Sequence, residues 1–394
     1  MAAREGRMAD CHSFLHSVQQ YRTFVFVQQR LHIRSAAMMQ RRDFLASVIG
    51  GLALPAAIRP VQPATSRKNW AWMKSEVKDF EGFRRELSGL RSAGFHAVLM
   101  TGSAAAYRKY ELYAREAGLE LHAWMFTMMR GENVQAHPDW YAVSRSGVST
   151  AVKPPYVDYY KFMCPSRDEV RAYLRGVVAD VASVDGISSI HLDYIRYPDV
   201  ILPVALWPKY QLVQDKEYPD FDFCYCDVCR TNFRKLSGKD PKALVDPASD
   251  RAWLQYRYDT ITRVVAELAD VAHGRGKLLT AAVFPTPAIA RTLVRQDWLK
   301  WKVDAVLPMI YNGFYKEGIE WIEGATREGV NALGGRIPLY SGLYVPDLPP
   351  TALASAIRAA FAGGANGISV FEGNMVTPDY LREIAPTLAG KIPA

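Results

Sequence analysis

The stretch SSIHLDYIRYPD, residues 188–199, decides how this chain is read. Ile190 and Leu192 alternate with His191 and Asp193, the two-residue period of a strand with one apolar and one polar face. Asp193 stands between Leu192 and Tyr194, with Ile195 just beyond. A charge held there is costly without partners, so such a carboxylate points to chemistry rather than packing. A salt bridge to Arg196 is the structural alternative.

Seven more β-rich runs flank this one. The eight expected strands are Trp70–Met73, His96–Thr101, Leu119–Phe126, Ser188–Arg196, Leu278–Phe284, Ala305–Tyr311, Ile337–Leu343 and Gly367–Phe371. Amphipathic segments separate them at Asp79–Ala93, Tyr107–Ala117, Arg167–Val184, Ala252–Gly274 and Pro350–Ala362. The glycine-containing strings SAGFHAV, EAGLELHAW and AGGANGISV read as helix-to-strand turns with Gly at the helix end. Eight β-then-α units in one domain fit an α/β fold of the (β/α)8 barrel type with a long insertion after the fourth strand, Asp199 to about Asp250. A doubly wound sheet is the competing fold. It does not account for eight strands with no Gly-rich phosphate loop after the first.

In such barrels the chemistry gathers at the C-terminal ends of the strands. Strand one ends with Trp72 and Lys74, strand three with His122, Trp124 and Phe126, and strand four with His191, Asp193, Arg196, Tyr197 and Asp199. Strand six gives Tyr311 and Asn312, strand seven Tyr340, Tyr344 and Asp347, strand eight Glu372 and Asn374. Aromatic rings stack on the apolar faces of sugars, and amide, Arg and His groups bond hydroxyls. Asp193 and Glu372 are therefore the candidate catalytic carboxylates of a glycosidase. Their separation would set the outcome: about 5–5.5 Å for retention, about 6.5–9.5 Å for inversion. Candidate substrate contacts are Trp72, His122, Trp124, His191, Arg196, Tyr197, Tyr311, Asn312 and Tyr344, with Arg196 and Tyr197 also placed to orient Asp193. Two other readings stay open. One is a non-catalytic glycan-binding barrel. The other is a metal-dependent hydrolase in which His122, His191 and Asp193 converge.

The strings HLDYIRYP (191–198), ELHAWMF (120–126) and the lead-in CPSRDEVRAYLRGVVADV (164–181) resemble the glycosyl-hydrolase-like family 10. Those are (β/α)8 proteins of bacterial surface or peptidoglycan-derived glycans. The resemblance spans about Trp70 to Phe371 and is densest from Leu121 to Pro198. It maps the family's strand-four Asp onto Asp193, its HAW string onto His122, Ala123 and Trp124, and its PxxY string onto Pro308 and Tyr311.

The chain has five cysteines: Cys11, Cys164, Cys224, Cys226 and Cys229. Cys224, Cys226 and Cys229 form C-x-C-x-x-C, a spacing that lets thiolates converge on one ion. With Cys164 they make the four ligands of a closed, structural zinc site. A disulfide, free thiols and an iron–sulfur cluster are the alternatives. The surrounding string FCYCDVCRTNFRKLSGKDPKAL (223–244) is similar to the zinc-binding cluster of glycoside hydrolase family 42 β-galactosidases, where a fourth thiol comes from an earlier CP string, here Cys164-Pro165. The similarity implies the metal and not the activity. The Asn-Glu pair which that family carries after strand four is replaced by Leu192-Asp193-Tyr194, and Tyr340-Ser341-Gly342 stand where its strand-seven nucleophile would be.

Composition limits the rest. The 394 residues are 49% hydrophobic and 22% charged, with a net charge of +8, the range of a soluble globular chain. Eight arginines and three acids lie within the first 66 residues, so the remainder is only about +3. The basicity therefore argues against nucleic-acid binding. It belongs to a leader: MQRRDFLASVIGGLALPAA, from Met39, places Arg41-Arg42 before a short apolar core and a small-residue cleavage region. This resembles a twin-arginine export signal. The expected organisation is an over-extended N-terminus at 1–37, a signal peptide and linker at 38–66, and a glycoside hydrolase-like domain at 67–394. The expected partners are a carbohydrate substrate and, during export, the Tat translocase. The expected location is periplasmic or secreted, with no stable membrane insertion.

Overall fold

The computed structural model describes residues 67–73 and 77–390. The leader at 1–37, the signal segment at 38–66, Cys11 and Lys74 lie outside the described residues. Eight strands follow one another: β1 (Trp70–Trp72), β2 (Ala97–Met100), β3 (Glu120–Phe126), β4 (Ile187–Asp193), β5 (Leu278–Val283), β6 (Ala305–Pro308), β7 (Tyr340–Tyr344) and β8 (Gly367–Phe371). All pair in parallel in the order β6-β5-β4-β3-β2-β1-β8-β7. Two isolated parallel bridges, Val306–Leu339 and Met309–Gly342, join β6 to β7. First strand against last, with every consecutive pair in contact, is a closed ring. The (β/α)8 barrel is the fold, and the doubly wound alternative is excluded.

Around the ring lie α1 (Phe80–Ala93), α2 (Ala104–Glu116), α3 (Asp168–Ala182), α4 (Asp227–Ser237), α5 (Arg251–His273), α6 (Pro287–Val294), α7 (Glu320–Leu333), α8 (Pro350–Ala362) and α9 (Pro378–Leu388). None of the described helices is long and apolar enough to cross a membrane. The glycine turns form as read: Gly94 caps α1 at φ 103°, and its amide bonds the carbonyls of Arg91 and Leu90. That left-handed conformation is open to Gly at little cost.

Strand ends differ from the sequence reading where the backbone forbids continuation. β6 stops at Pro308 rather than Tyr311, because the chain then turns back on itself: the Ile310 amide bonds the Pro308 carbonyl at 2.9 Å and the Asn312 amide the Ile310 carbonyl at 3.0 Å. β4 stops at Asp193 rather than Arg196, because Tyr194 turns to φ 49°. β7 runs Tyr340–Tyr344 and not Ile337–Leu343, as Pro338 cannot donate within a strand.

Alternation divides the buried side chains into two cores. Val98, Met100, Leu121, Ala123, Ile190 and Leu192 join the layer shared with the helices. Trp70, Trp72, Leu99, Ala282, Leu307 and Tyr340 fill the lumen, which is therefore packed and not a pore. The β6–β7 approach needs Gly342, since a Cβ there would stand 2.6 Å from the Pro308 carbonyl oxygen.

Candidate active site and cysteine centre

β4 delivers Asp193 to the C-terminal rim of the barrel, half-buried. Trp124 Nε1, from the neighbouring β3, donates to Asp193 Oδ2 at 3.0 Å, and the Tyr194 amide donates to Oδ1 at 2.6 Å. The left-handed turn at Tyr194 makes that second bond local. Such a conformation costs of order 1–3 kcal/mol for a bulky residue, and structures retain it where the surroundings dictate it. Burial raises the Asp193 carboxyl above the ordinary aspartate range. The two hydrogen bonds and the nearby Arg196 charge pull the other way without cancelling it. A carboxyl of this kind can hold a proton and deliver it to a leaving group.

Rings surround it. Phe371, the last residue of β8, is their hub. Its ring centroid lies 6.0 Å from Trp124, 6.3 Å from Trp72, 6.2 Å from Tyr311 and 6.1 Å from Tyr344. Tyr311 and Tyr344 are 5.3 Å apart, and Phe314 closes on Tyr344 at 5.1 Å. Glu372 follows Phe371 directly and is half-buried. Trp124, which donates to Asp193, thus touches Phe371, the residue before Glu372 in the chain.

Several expected contacts lie elsewhere. Arg196 does not pair with Asp193. It bonds Asp199 Oδ2 at 2.9 Å and the Tyr197 carbonyl at 3.0 Å, both ends of the ion pair being buried. Its guanidinium lies about the rings of Tyr194, Phe284 and Phe162, at 5.0, 5.2 and 5.4 Å, and reaches Asp193 only through space. Tyr197 is 1% exposed and turned to the cysteine cluster, whose thiols add to burial in raising its hydroxyl pKa. Neither residue holds Asp193, because the turn at Tyr194 redirects the chain. Asn312 uses its amide on the Glu317 carbonyl of its own loop, 2.9 Å away. His122 and His191 are fully buried in the barrel interior. Their ring nitrogens meet Ser189, Glu120 and Thr280.

Two of the rings that the sequence reading did not name as contacts come from outside the strands, and Phe371 from the end of β8. Tyr156 stacks on Phe221 at 4.7 Å, donates to the Asp199 carbonyl at 2.8 Å and receives Gln214 Nε2 at 2.9 Å. This ties the β3–α3 loop to the insertion. Tyr160 stands edge-on to Tyr194 at 6.2 Å. Phe371 was not named as a contact from the sequence, although the two-residue period puts it on one face with Ser369.

The cysteine centre lies beneath the insertion. One Sγ from each of Cys164, Cys224, Cys226 and Cys229 falls within 4.8 Å of all the others, and all four residues are buried. Among the described residues this is the one group of metal-binding side chains so placed. Cys164 Sγ is 3.5 Å from Cys226 Sγ and from Cys229 Sγ. That is far beyond a disulfide bond, and all four thiols are free. Tetrahedral zinc with 2.3 Å bonds needs sulfurs about 3.8 Å apart, so the donor set fits. The Val143 amide donates to Cys224 Sγ at 3.3 Å, and Ser166 Oγ lies 3.2 Å from Cys229 Sγ. Both would orient thiolates as outer partners do around metals.

The cysteines are not the insertion's only anchor. Asp222, 1% exposed, pairs with the fully buried Arg257 of α5 and accepts from the Tyr225 hydroxyl at 2.5 Å. Trp253 Nε1 donates to that hydroxyl at 3.0 Å. Arg295 pairs with Glu217. The insertion is thus stitched to α5 and to the turn after α6 by buried charges that the sequence reading did not single out.

No protein-family model and no curated protein sequence matches the chain. Solved structures do match in fold. The catalytic domain of a β-amylase from Paenibacillus polymyxa superposes with a TM-score of 0.56 at 14% identity, over 84% of this chain and 100% of that one. The PgaB (BpsB) glycoside hydrolase domain from Bordetella bronchiseptica gives 0.60 at 12%, over 81% and 99%. A β-galactosidase from the psychrophilic Marinomonas ef1 gives 0.58 at 11%, over 82% of this chain and 59% of that one. The class these comparisons define is the (β/α)8 barrel.

Proposed function

We propose that this chain is an exported glycoside hydrolase acting on a poly- or oligosaccharide. The observation that carries the reading is Asp193: a carboxyl with raised proton affinity, fixed by Trp124 and the Tyr194 amide, at the aromatic-rich rim of a (β/α)8 barrel. The neighbouring folds that include a β-amylase, a PgaB domain and a β-galactosidase support it, as does the resemblance to glycosyl-hydrolase-like family 10. Asp193 acts as the general acid, protonating the departing glycosidic oxygen. Glu372 is the partner carboxylate that stabilises or attacks the sugar centre, or activates water. Trp124 and Phe371, half-buried at the rim, supply faces for sugar rings; the buried Tyr311 and Tyr344 pack against Phe371, and Trp72 lies beneath them in the lumen core.

Cys164, Cys224, Cys226 and Cys229 would hold a structural zinc. With all four positions filled by thiolates the ion supplies no bound water, so its contribution is to fix the insertion. Zinc loading suits the twin-arginine route, which carries proteins folded before export to a periplasmic or secreted location.

The test is hydrolysis of a panel of bacterial and plant glycans by the wild type and Asp193→Asn. Turnover by the wild type and its loss in the variant are expected. Equal activity in both would remove Asp193 from the mechanism. Binding of a panel glycan without turnover would replace the enzyme by a glycan-binding barrel.

A further inference from the structure

The inward face of the barrel carries a chain of polar side chains below the level of Asp193. It begins at Glu120, the first residue of β3, which pairs with Lys68 at 2.6 Å and lies 3.2 Å from His122 Nε2. His122 Nδ1 bonds Ser189 Oγ on β4. Ser189 Oγ is 3.5 Å from Thr280 Oγ1 on β5, and Thr280 Oγ1 is 2.9 Å from His191 Nδ1, back on β4. At the far end His191 Nε2 is buried with no hydrogen-bond partner. The ring stands 5.6 Å from Trp72, across the lumen.

Proton counting gives this chain a direction. His122 and Lys68 donate to Glu120 and hold its carboxyl down to about 2 against the opposing effect of burial. Glu120 is therefore ionised and can only accept. His122 must then carry its proton on Nε2. Burial keeps that ring neutral, so Nδ1 accepts, and the Ser189 hydroxyl donates to it. With its only proton used, Ser189 accepts from Thr280. Thr280 in turn accepts from a proton on His191 Nδ1. Burial holds His191 neutral too, which leaves Nε2 as a bare lone pair.

We propose that Glu120 is a positioning residue for His191: through His122, Ser189 and Thr280 it fixes the Nδ1-protonated tautomer and so creates, two residues before Asp193 on the same face of β4, an acceptor for an O–H donor. The donor is water or a ligand alcohol. None of this rests on the glycosidase reading, so an inactive protein with these tautomers would sink that reading alone.

Long-range ¹H–¹⁵N correlation spectra of the full chain with ¹⁵N-labelled histidine test the relay. Expected are a proton on Nδ1 of His191 and on Nε2 of His122. Glu120→Gln, whose amide can donate as well as accept, should release both preferences. Thr280→Val, close in volume, should release His191 while His122 stays fixed. This second variant keeps the test alive if Glu120→Gln does not fold. A proton on His191 Nε2, or a His191 pattern unmoved by Thr280→Val, would overturn the relay. The donor is read in the same spectra. Cross-relaxation from water to the His191 ring assigns water, and a His191 shift on adding glucose, galactose or N-acetylglucosamine assigns a ligand alcohol. Neither signal would overturn the acceptor.

Discussion

The barrel mouth and the cysteine centre solve opposite problems. At the mouth one carboxyl, Asp193, is half-buried with two hydrogen bonds and no ion pair, and burial raises its proton affinity. Beneath the insertion, buried polar groups are gathered against one another: four thiols meet within 4.8 Å, and Asp222 is matched to Arg257 and the Tyr225 hydroxyl. The first arrangement leaves a group poised to exchange a proton with something that arrives. The second leaves nothing for a visitor to do, and its effect is on stability.

That contrast sets which substitutions should hurt what. Asp193→Asn should lower kcat/KM by about 10²–10⁴-fold while the melting temperature stays close to wild type. An equal loss of both would make Asp193 structural. Cys226→Ser should do the reverse: metal analysis should fall from about one zinc per chain to none, with a large drop in thermal stability and activity surviving in the cold. Wild-type protein without zinc would break the comparison on that side. Arg257→Met leaves the buried Asp222 with only the Arg295 guanidinium, 3.9 Å away, to offset its charge and should cost about 3 kcal/mol in denaturant unfolding. A negligible cost would mean that the cysteines hold the insertion unaided. Trp124→Phe keeps a ring but removes a donor to Asp193. It should cost about tenfold in kcat/KM, the scale of one hydrogen bond to a charged group. The sign of its pH effect follows from the linkage. That donor lowers the Asp193 pKa, so its loss raises it. A general acid is active when protonated, so the alkaline limb of kcat/KM should move to higher pH. A shift to lower pH would contradict the acid assignment.

The two regions were also unequally legible. The cysteine centre could be read because three of its ligands fall within six residues and spacing alone confines them. Cys164 followed as the remaining thiol of the barrel domain. The mouth draws on six strands, and only periodicity links them. It placed Trp72, Trp124 and Asp193 on inward faces but was blind to what happens where a strand ends. The turn at Tyr194, with φ 49°, sends Arg196 to Asp199 and Tyr197 to the cysteines, and no residue pattern announces a left-handed tyrosine. The insertion's buried charges were hidden for a related reason. Asp222 and Arg257 stand in stretches that look solvated, and their pairing is a contact between residues 35 apart.

The ring of strands is closed by full ladders everywhere except between β6 and β7, where two isolated bridges suffice. Tyr311 follows one of these strands and Tyr344 ends the other, so the pair straddles that seam with ring centroids 5.3 Å apart. The two rings in contact are themselves a rivet across the least-stitched joint of the barrel, and a sugar resting against their outer edges would tighten it. Occupancy should then be felt as stiffness: hydrogen–deuterium exchange of the amides in 305–311 and 339–344 should slow on binding more than in the β2–β3 ladder, which is already complete.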